Sequence, residues 1–259
     1  MGIHFLASAA LATLMMCSVA WADSIGKVVA VVGAPTSTGP SGKHELHAGS
    51  PVFENDKITV TTGNAQILFD DGTKLVVGPS STLVITKFLL RGNSNTAQDL
   101  SIKALRGTFR FITGKSAKGA YDIQTANATI GIRGTGFDFW VSSSTGVAVL
   151  KGKVRLSDKL RSKTYIDISQ GCELGTTEGA VARQFRRADL ARRIVNHLPF
   201  IVNQSALKKA FQLNTQACSA ALSELADEPG SSRSTTNSDP VAPGNNPYPG
   251  PNGPPATGP

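Results

Sequence analysis

The 259-residue sequence is poor in the side chains from which metal and redox sites are built, with three cysteines and four histidines in all. His44 and His47 flank Glu45, but on a strand that spacing separates the two rings, and no Cys or His ligand pattern lies nearby. No metal is expected. A nucleophile elbow, a phosphate-cradling glycine loop and a metalloprotease helix are all absent, so neither a catalytic residue nor a cofactor is expected. Adjacent Asp70 and Asp71 do not make an acid pair, because neighbouring strand residues point to opposite faces. After the first 22 residues no apolar run approaches the ~20 residues that cross a bilayer.

What is present first is a leader. Phe5 to Val19 carries no Lys, Arg, Asp or Glu and leads into Ala20-Trp21-Ala22, a small-x-small pattern that places cleavage after Ala22. Residues 1–22 are therefore expected to be a signal peptide and the chain periplasmic or secreted. Leu14-Met15-Met16-Cys17 lacks the small residue that a lipid-anchored cysteine would need before it, which ranks soluble export above anchoring.

From Ile25 to about Gly175 short apolar alternations are broken by turn residues, the pattern of a mainly β body. Ala65, Ile67 and Phe69 alternate with more polar neighbours, as Phe109 and Phe111 do with Arg110, so each strand should bury one face. Asp71-Gly72 predicts a two-residue type I′ hairpin turn and Lys151-Gly152 a second tight turn. Close, even spacing fits a multi-stranded antiparallel roll, a sandwich or a solenoid-like body; no exact repeat selects among them. The expected β domain runs over residues 23–182.

Residues 183–226 change period. Phe185, Ala188, Ala191, Ile194, Val195 and Leu198 recur every three or four residues, predicting one amphipathic helix that ends before Pro199. A second should follow Ser205, a candidate N-cap, with Leu207, Ala210, Phe211, Cys218, Ala221, Leu222 and Leu225 on one side. Most of the formal charge of +8 sits here: from Arg183 to Ala210, Arg183, Arg186, Arg187, Arg192, Arg193, Lys208 and Lys209 face only Asp189. Such clustering is the footprint of nucleic-acid binding, but an exported chain does not meet nucleic acid. A solvated helix face, or an anionic envelope surface such as lipid headgroups, remains. Residues 227–259, rich in Pro, Gly, Ser and Asn, are expected to be disordered.

The mature chain keeps Cys172 and Cys218, in a compartment where disulfides persist. They could form one bridge or stand as two separate thiols.

The most distinctive stretch is Thr129-Ile130-Gly131-Ile132-Arg133-Gly134-Thr135-Gly136-Phe137-Asp138-Phe139-Trp140-Val141, followed by Gly146 through Val154. It resembles the signature of the FecR-domain family, a Gly-hydrophobic-Arg-Gly-Thr-x-Phe segment with a strand, a turn and a further strand behind it. Gly26-Lys27-Val28, Thr61 to Ala65, and Phe69 to Leu75 through Ser81 are similar to the family's opening strands and Asp-Gly hairpin, so the likeness covers Ile25 to Gly175. The motif residues Gly131, Arg133, Gly134, Thr135 and Phe137 are read as structural. Arg133, between glycines, should donate to several backbone carbonyls and pin a turn; ligand binding is the competing role.

Regulatory members of that family join a cytoplasmic sigma-binding segment and one membrane helix to a periplasmic domain that receives a receptor's signal. Here the β body begins a few residues after the expected cleavage site, so the resemblance implies the exported domain without those two segments. The expected function is non-catalytic binding of another envelope protein, with signalling as one setting. The alternative is a structural or surface-associating envelope protein that uses the basic helix and the Pro-rich tail.

Overall fold

A computed structural model describes residues 23–40, 42–92, 95–159, 164–177, 183–184 and 187–226. The leader and the Pro-rich tail lie outside the described residues. The chain is mainly β. Its strands are β1 (Gly26–Val32), β2 (Thr36–Gly39), β3 (Gly42–Glu45), β4 (Pro51–Val52), β5 (Lys57–Val60), β6 (Asn64–Phe69), β7 (Lys74–Val77), β8 (Ser81–Leu90), β9 (Ala97–Ile112), β10 (Tyr121–Gln124), β11 (Ala128–Val141), β12 (Thr145–Asp158), β13 (Tyr165–Ser169), β14 (Glu173–Thr176) and β15 (Arg183–Gln184). The helices α1 (Arg187–His197), α2 (Pro199–Val202) and α3 (Gln216–Ala226) follow.

All fifteen strands belong to one hydrogen-bonded sheet that folds on itself into two layers. The fold-over is carried by β9, β11 and β12, each of which changes partners halfway along. β9 pairs with β8 and β10 up to Arg106 and with β7 and β11 from Gly107. β11 pairs with β10 and the end of β12 up to Arg133, then with β9 and the start of β12 from Gly136. β12 pairs with β14 before Lys151 and with β13 after Gly152. A glycine in the left-handed region sits at each crossing: Gly107 at φ 102°, Gly134 at 68° and Gly152 at 79°. A side chain would strain the backbone there, so glycine lets one strand serve two sheets.

The first layer runs β4-β1-β6-β7-β9-β11-β12-β14-β15 and the second β3-β2-β5-β8-β9-β10-β11-β12-β13. Every pairing is antiparallel except β9 with β10, which is parallel and corrects the expected wholly antiparallel body. Between the layers lies the main core. Phe109, Phe111, Phe137, Phe139, Val147 and Val149 of the first layer meet Leu83, Ile85, Ile102, Ile130, Val154 and Leu156 of the second. Among the architectures left open by the sequence, this is the sandwich.

Three sequence expectations are corrected. The Asp71-Gly72 hairpin forms, but only Gly72 has positive φ, and Phe69 and Thr73 close the loop through the bond from Phe69 N to Thr73 O. That is a type I turn with a glycine bulge rather than type I′. Lys151-Gly152 is not a turn at all, since β12 passes straight through it as one of the three crossings. Finally, no helix starts after Ser205. Residues 203–215 are largely irregular, with a single 3₁₀ turn at Lys209–Phe211, and the next helix begins only at Gln216. Periodicity lost to tertiary contacts, because Leu207 and Phe211 are pulled separately onto the sheet.

Candidate partner-binding surface

The two outer faces of the sandwich differ. On the first layer, residues that alternate away from the core are Gln66, Val76, Arg110, Asp138, Trp140 and Ala148, and all six are buried. The segment from α1 to α3 covers them. Ile194, Leu198 and Ile201 pack on Trp140, Ala148 and Leu174, while Phe200, Leu207 and Phe211 pack on Val76. This strap is fastened covalently, as the structure joins Cys172, just before β14, to Cys218 on α3.

It is fastened electrostatically as well. Arg110 and Asp138, on β9 and β11, stand directly opposite each other with side chains 0% exposed. Arg110 donates from Nε to Asp138 Oδ1 at 2.6 Å and from Nη2 to Oδ2 at 2.9 Å. Its remaining donors reach the strap, at Phe200 O (2.9 Å), Phe211 O (3.3 Å) and the Gln204 side-chain oxygen. Burial pushes the Asp138 carboxyl above its ordinary value, and Arg110 pulls against that shift. Gln66 adds a second polar tie, donating to Ala206 O at 3.1 Å and accepting from Lys208 N at 2.8 Å.

The role expected of Arg133 thus belongs to Arg110. Arg133 is exposed, and its side chain makes no hydrogen bond among the described residues. Alternation explains why: Ile132 points into the core, so its neighbour points out, and Gly134 turns the strand by its own left-handed backbone without help from a guanidinium. Of the other motif residues, Phe137 is core, Gly131 lies opposite Arg155, and the Thr135 backbone meets Thr113, with Thr113 N donating to Thr135 O at 3.0 Å and Thr135 N donating to Thr113 Oγ1 at 3.1 Å. Of the basic patch, Arg192 is exposed and Arg193 is half-buried and engaged; the side chains of Arg183, Arg186 and Arg187 lie outside the described residues.

Sequence reading missed Arg110, Asp138 and Gln204. A signal existed in two matching tripeptides, Phe109-Arg110-Phe111 and Phe137-Asp138-Phe139, whose flanking rings are both core. Opposite charges between paired phenylalanines fit adjacent strands in one register. Asp71 was missed in a different way. It sits in its turn but is buried, accepting from Thr73 N, Thr73 Oγ1, Ser116 Oγ and Tyr121 OH at 2.7 to 3.2 Å.

Among the described residues nothing covers the outer face of the second layer in this way. Across β9 to β13 it presents Lys103, Leu105, Asp122, Gln124, Arg133, Lys153, Arg155, Tyr165 and Asp167, a mostly polar surface. Arg155 holds Asp167 through two bonds of 2.7 and 2.8 Å and lies 4.1 Å over the Tyr165 ring. A groove of about 640 Å³ also runs beside the strap, under the Trp140–His197 ring stack at 4.8 Å. Among the described residues no cluster of three His, Cys, Asp or Glu side chains could hold a metal, and no helix is long and apolar enough to cross a membrane.

Residues 56–155 match the sequence model of the family described as FecR protein. No curated protein matches the chain. Two crystal structures of a candidate anti-sigma factor from Parabacteroides distasonis align with 52% of this chain, at 15% and 14% identity and TM-scores of 0.40 and 0.38. The aligned region spans 62% and 63% of those two chains.

Proposed function

From the premise that this chain carries a FecR domain over residues 56–155, we propose that it is a non-catalytic, exported module that binds another envelope protein through the open face of its second layer. One observation carries the reading: among the described residues, the strap buries the outer face of the first layer and nothing covers that of the second. A sandwich needs its inner faces for its core, so the bare outer face is where a partner can meet rigid backbone-positioned side chains. The Cys172–Cys218 bridge supports export, because such a bond persists in oxidising compartments. Signalling is the setting that the family suggests.

Site-specific photo-crosslinking in living cells tests it. A photoreactive phenylalanine at exposed Lys103 on β9 should give a discrete protein adduct, and the same group at exposed Val202 on the strap should give none. Adducts from Val202 and α1 positions alone would put the contact on the basic helical segment. The chain would then be a surface-associating protein and the open-face assignment would be wrong.

A further inference from the structure

The open face is not uniform. Its side chains form rows across the strands, set by register. One row is Ser101, Asp122, Gly131, Arg155 and Asp167, from β9 to β13. That row carries two carboxylates and one cation: Asp167 holds Arg155, and Asp122 accepts from the Gln124 amide at 2.6 Å. At the other end of the same sheet Asp99 holds Lys87 at 2.8 Å. The next row is Arg133, Lys153 and Ser169. It contains two cations and no carboxylate.

Arg133 and Lys153 are directly opposed on neighbouring antiparallel strands, which brings their Cβ atoms to about 5 Å and makes like charges repel. Both are exposed, neither side chain makes a hydrogen bond or ion pair among the described residues, and a third exposed cation, Lys151, lies at the crossing two residues before Lys153. The Asp167 carboxyl is held below its ordinary value, first by the Arg155 hydrogen bond, then by the charge of Arg155, Arg133 and Lys153, so all three cations bear on one carboxylate already committed. Apart from that shared pull on Asp167, the two cations have no structural task among the described residues. Gly134 and Gly152 make the bends, and Ile132 and Val154 supply the packing.

We propose that the Arg133–Lys153 pair is an anion-docking point for an acidic segment of the protein partner, a step that rests on the open-face reading above and specifies its chemistry. An extended chain with carboxylates can lie along the row and satisfy both cations at once, with the planar guanidinium of Arg133 taking one carboxylate in fork geometry. An acidic lipid surface fits less well. Membrane docking needs apolar side chains beside the charge, and the exposed leucines of this layer, Leu89, Leu90 and Leu105, lie on β8 and β9 rather than beside the pair, while the Tyr165 ring on β13 is stacked by Arg155.

The probe is a synthetic octaglutamate peptide, titrated at low salt into the ¹⁵N-labelled mature chain, with phosphatidylglycerol vesicles as a separate arm. Amides of residues 131–133, 151–155 and 167–169 should shift. Arg133→Gln with Lys153→Gln should weaken binding by about fivefold or more at unchanged melting temperature, since each exposed charge contributes up to about 1 kcal/mol. Arg192→Gln with Arg193→Gln, on α1, should leave it intact. Peptide binding that survives the first pair or is lost with the second, or vesicles binding through Arg133 where the peptide does not, overturns the proposal. A failed titration alongside a Lys103 adduct would sink only the acidic chemistry and leave the open-face contact standing.

Discussion

Arg110→Ala lowers the melting temperature by roughly 10 °C. Removing one partner of a buried ion pair costs about 3 to 5 kcal/mol, because the other charge is left uncompensated in a low-dielectric interior. At this chain length each kcal/mol moves the midpoint by about 2 to 4 °C. Here the loss is larger than for the pair alone, as Phe200 O and Phe211 O lose their donor in the same step. Lysine rescues little, since one ammonium cannot fill the Asp138 fork and also reach Phe200 O, Phe211 O and Gln204. Arg110→Met combined with Asp138→Leu recovers part of the loss, because the buried charge is gone even though the strap carbonyls stay unpaired. Thermal unfolding followed by near-ultraviolet circular dichroism decides it. An alanine variant that melts with the wild type, or a double variant no better than the single one, contradicts the clamp.

The second large effect belongs to the bridge. Cys172 and Cys218 are 46 residues apart, and the chain-entropy model gives a loop of that size about 4 kcal/mol. Both cysteines are 2% exposed or less, so the bond should resist reductant while the protein is folded. Alkylation of the native oxidised protein is therefore expected to label neither residue. Reduction in denaturant followed by refolding as the dithiol should lower the melting temperature by about 10 °C. Two labelled thiols in native protein isolated from the cell envelope would remove the bridge and, with it, half of the account of how the strap is held.

Much of the fold was legible because period-2 alternation is a local property. Phe109 and Phe111, or Ala65, Ile67 and Phe69, announce a buried face whatever they pack against. The turn residues were legible as well, though not their use. Gly152 reads as a hairpin tip in sequence and is a mid-strand crossing in space, because a glycine in the left-handed region serves both and only the partner strands distinguish them. The same limit explains Arg110 and Arg133. Each is an arginine next to a residue that points inward, so each should face out. Whether out means water or a second layer depends on residues 187–226, far along the chain. For Arg110 it means the strap; for Arg133 it means solvent. The helical period after Gln184 held for α1 but failed after Ser205, where Gln66 and Gln204 take the backbone bonds that a helix would have made internally.

Two different sides of the sandwich follow from that one long-range contact, and native-state hydrogen exchange tests it directly. If the strap is an integral third layer, the hydrogen-bonded amides of Ile201, Asn203, Leu207, Phe211 and Leu213 should be protected nearly as well as those in the middle of β9 and β11, and Arg110→Ala should lower strap protection first. Strap amides that exchange at free-chain rates while β9 and β11 stay protected would mean that the first layer is also open to partners, and the assignment of a single binding face would fall.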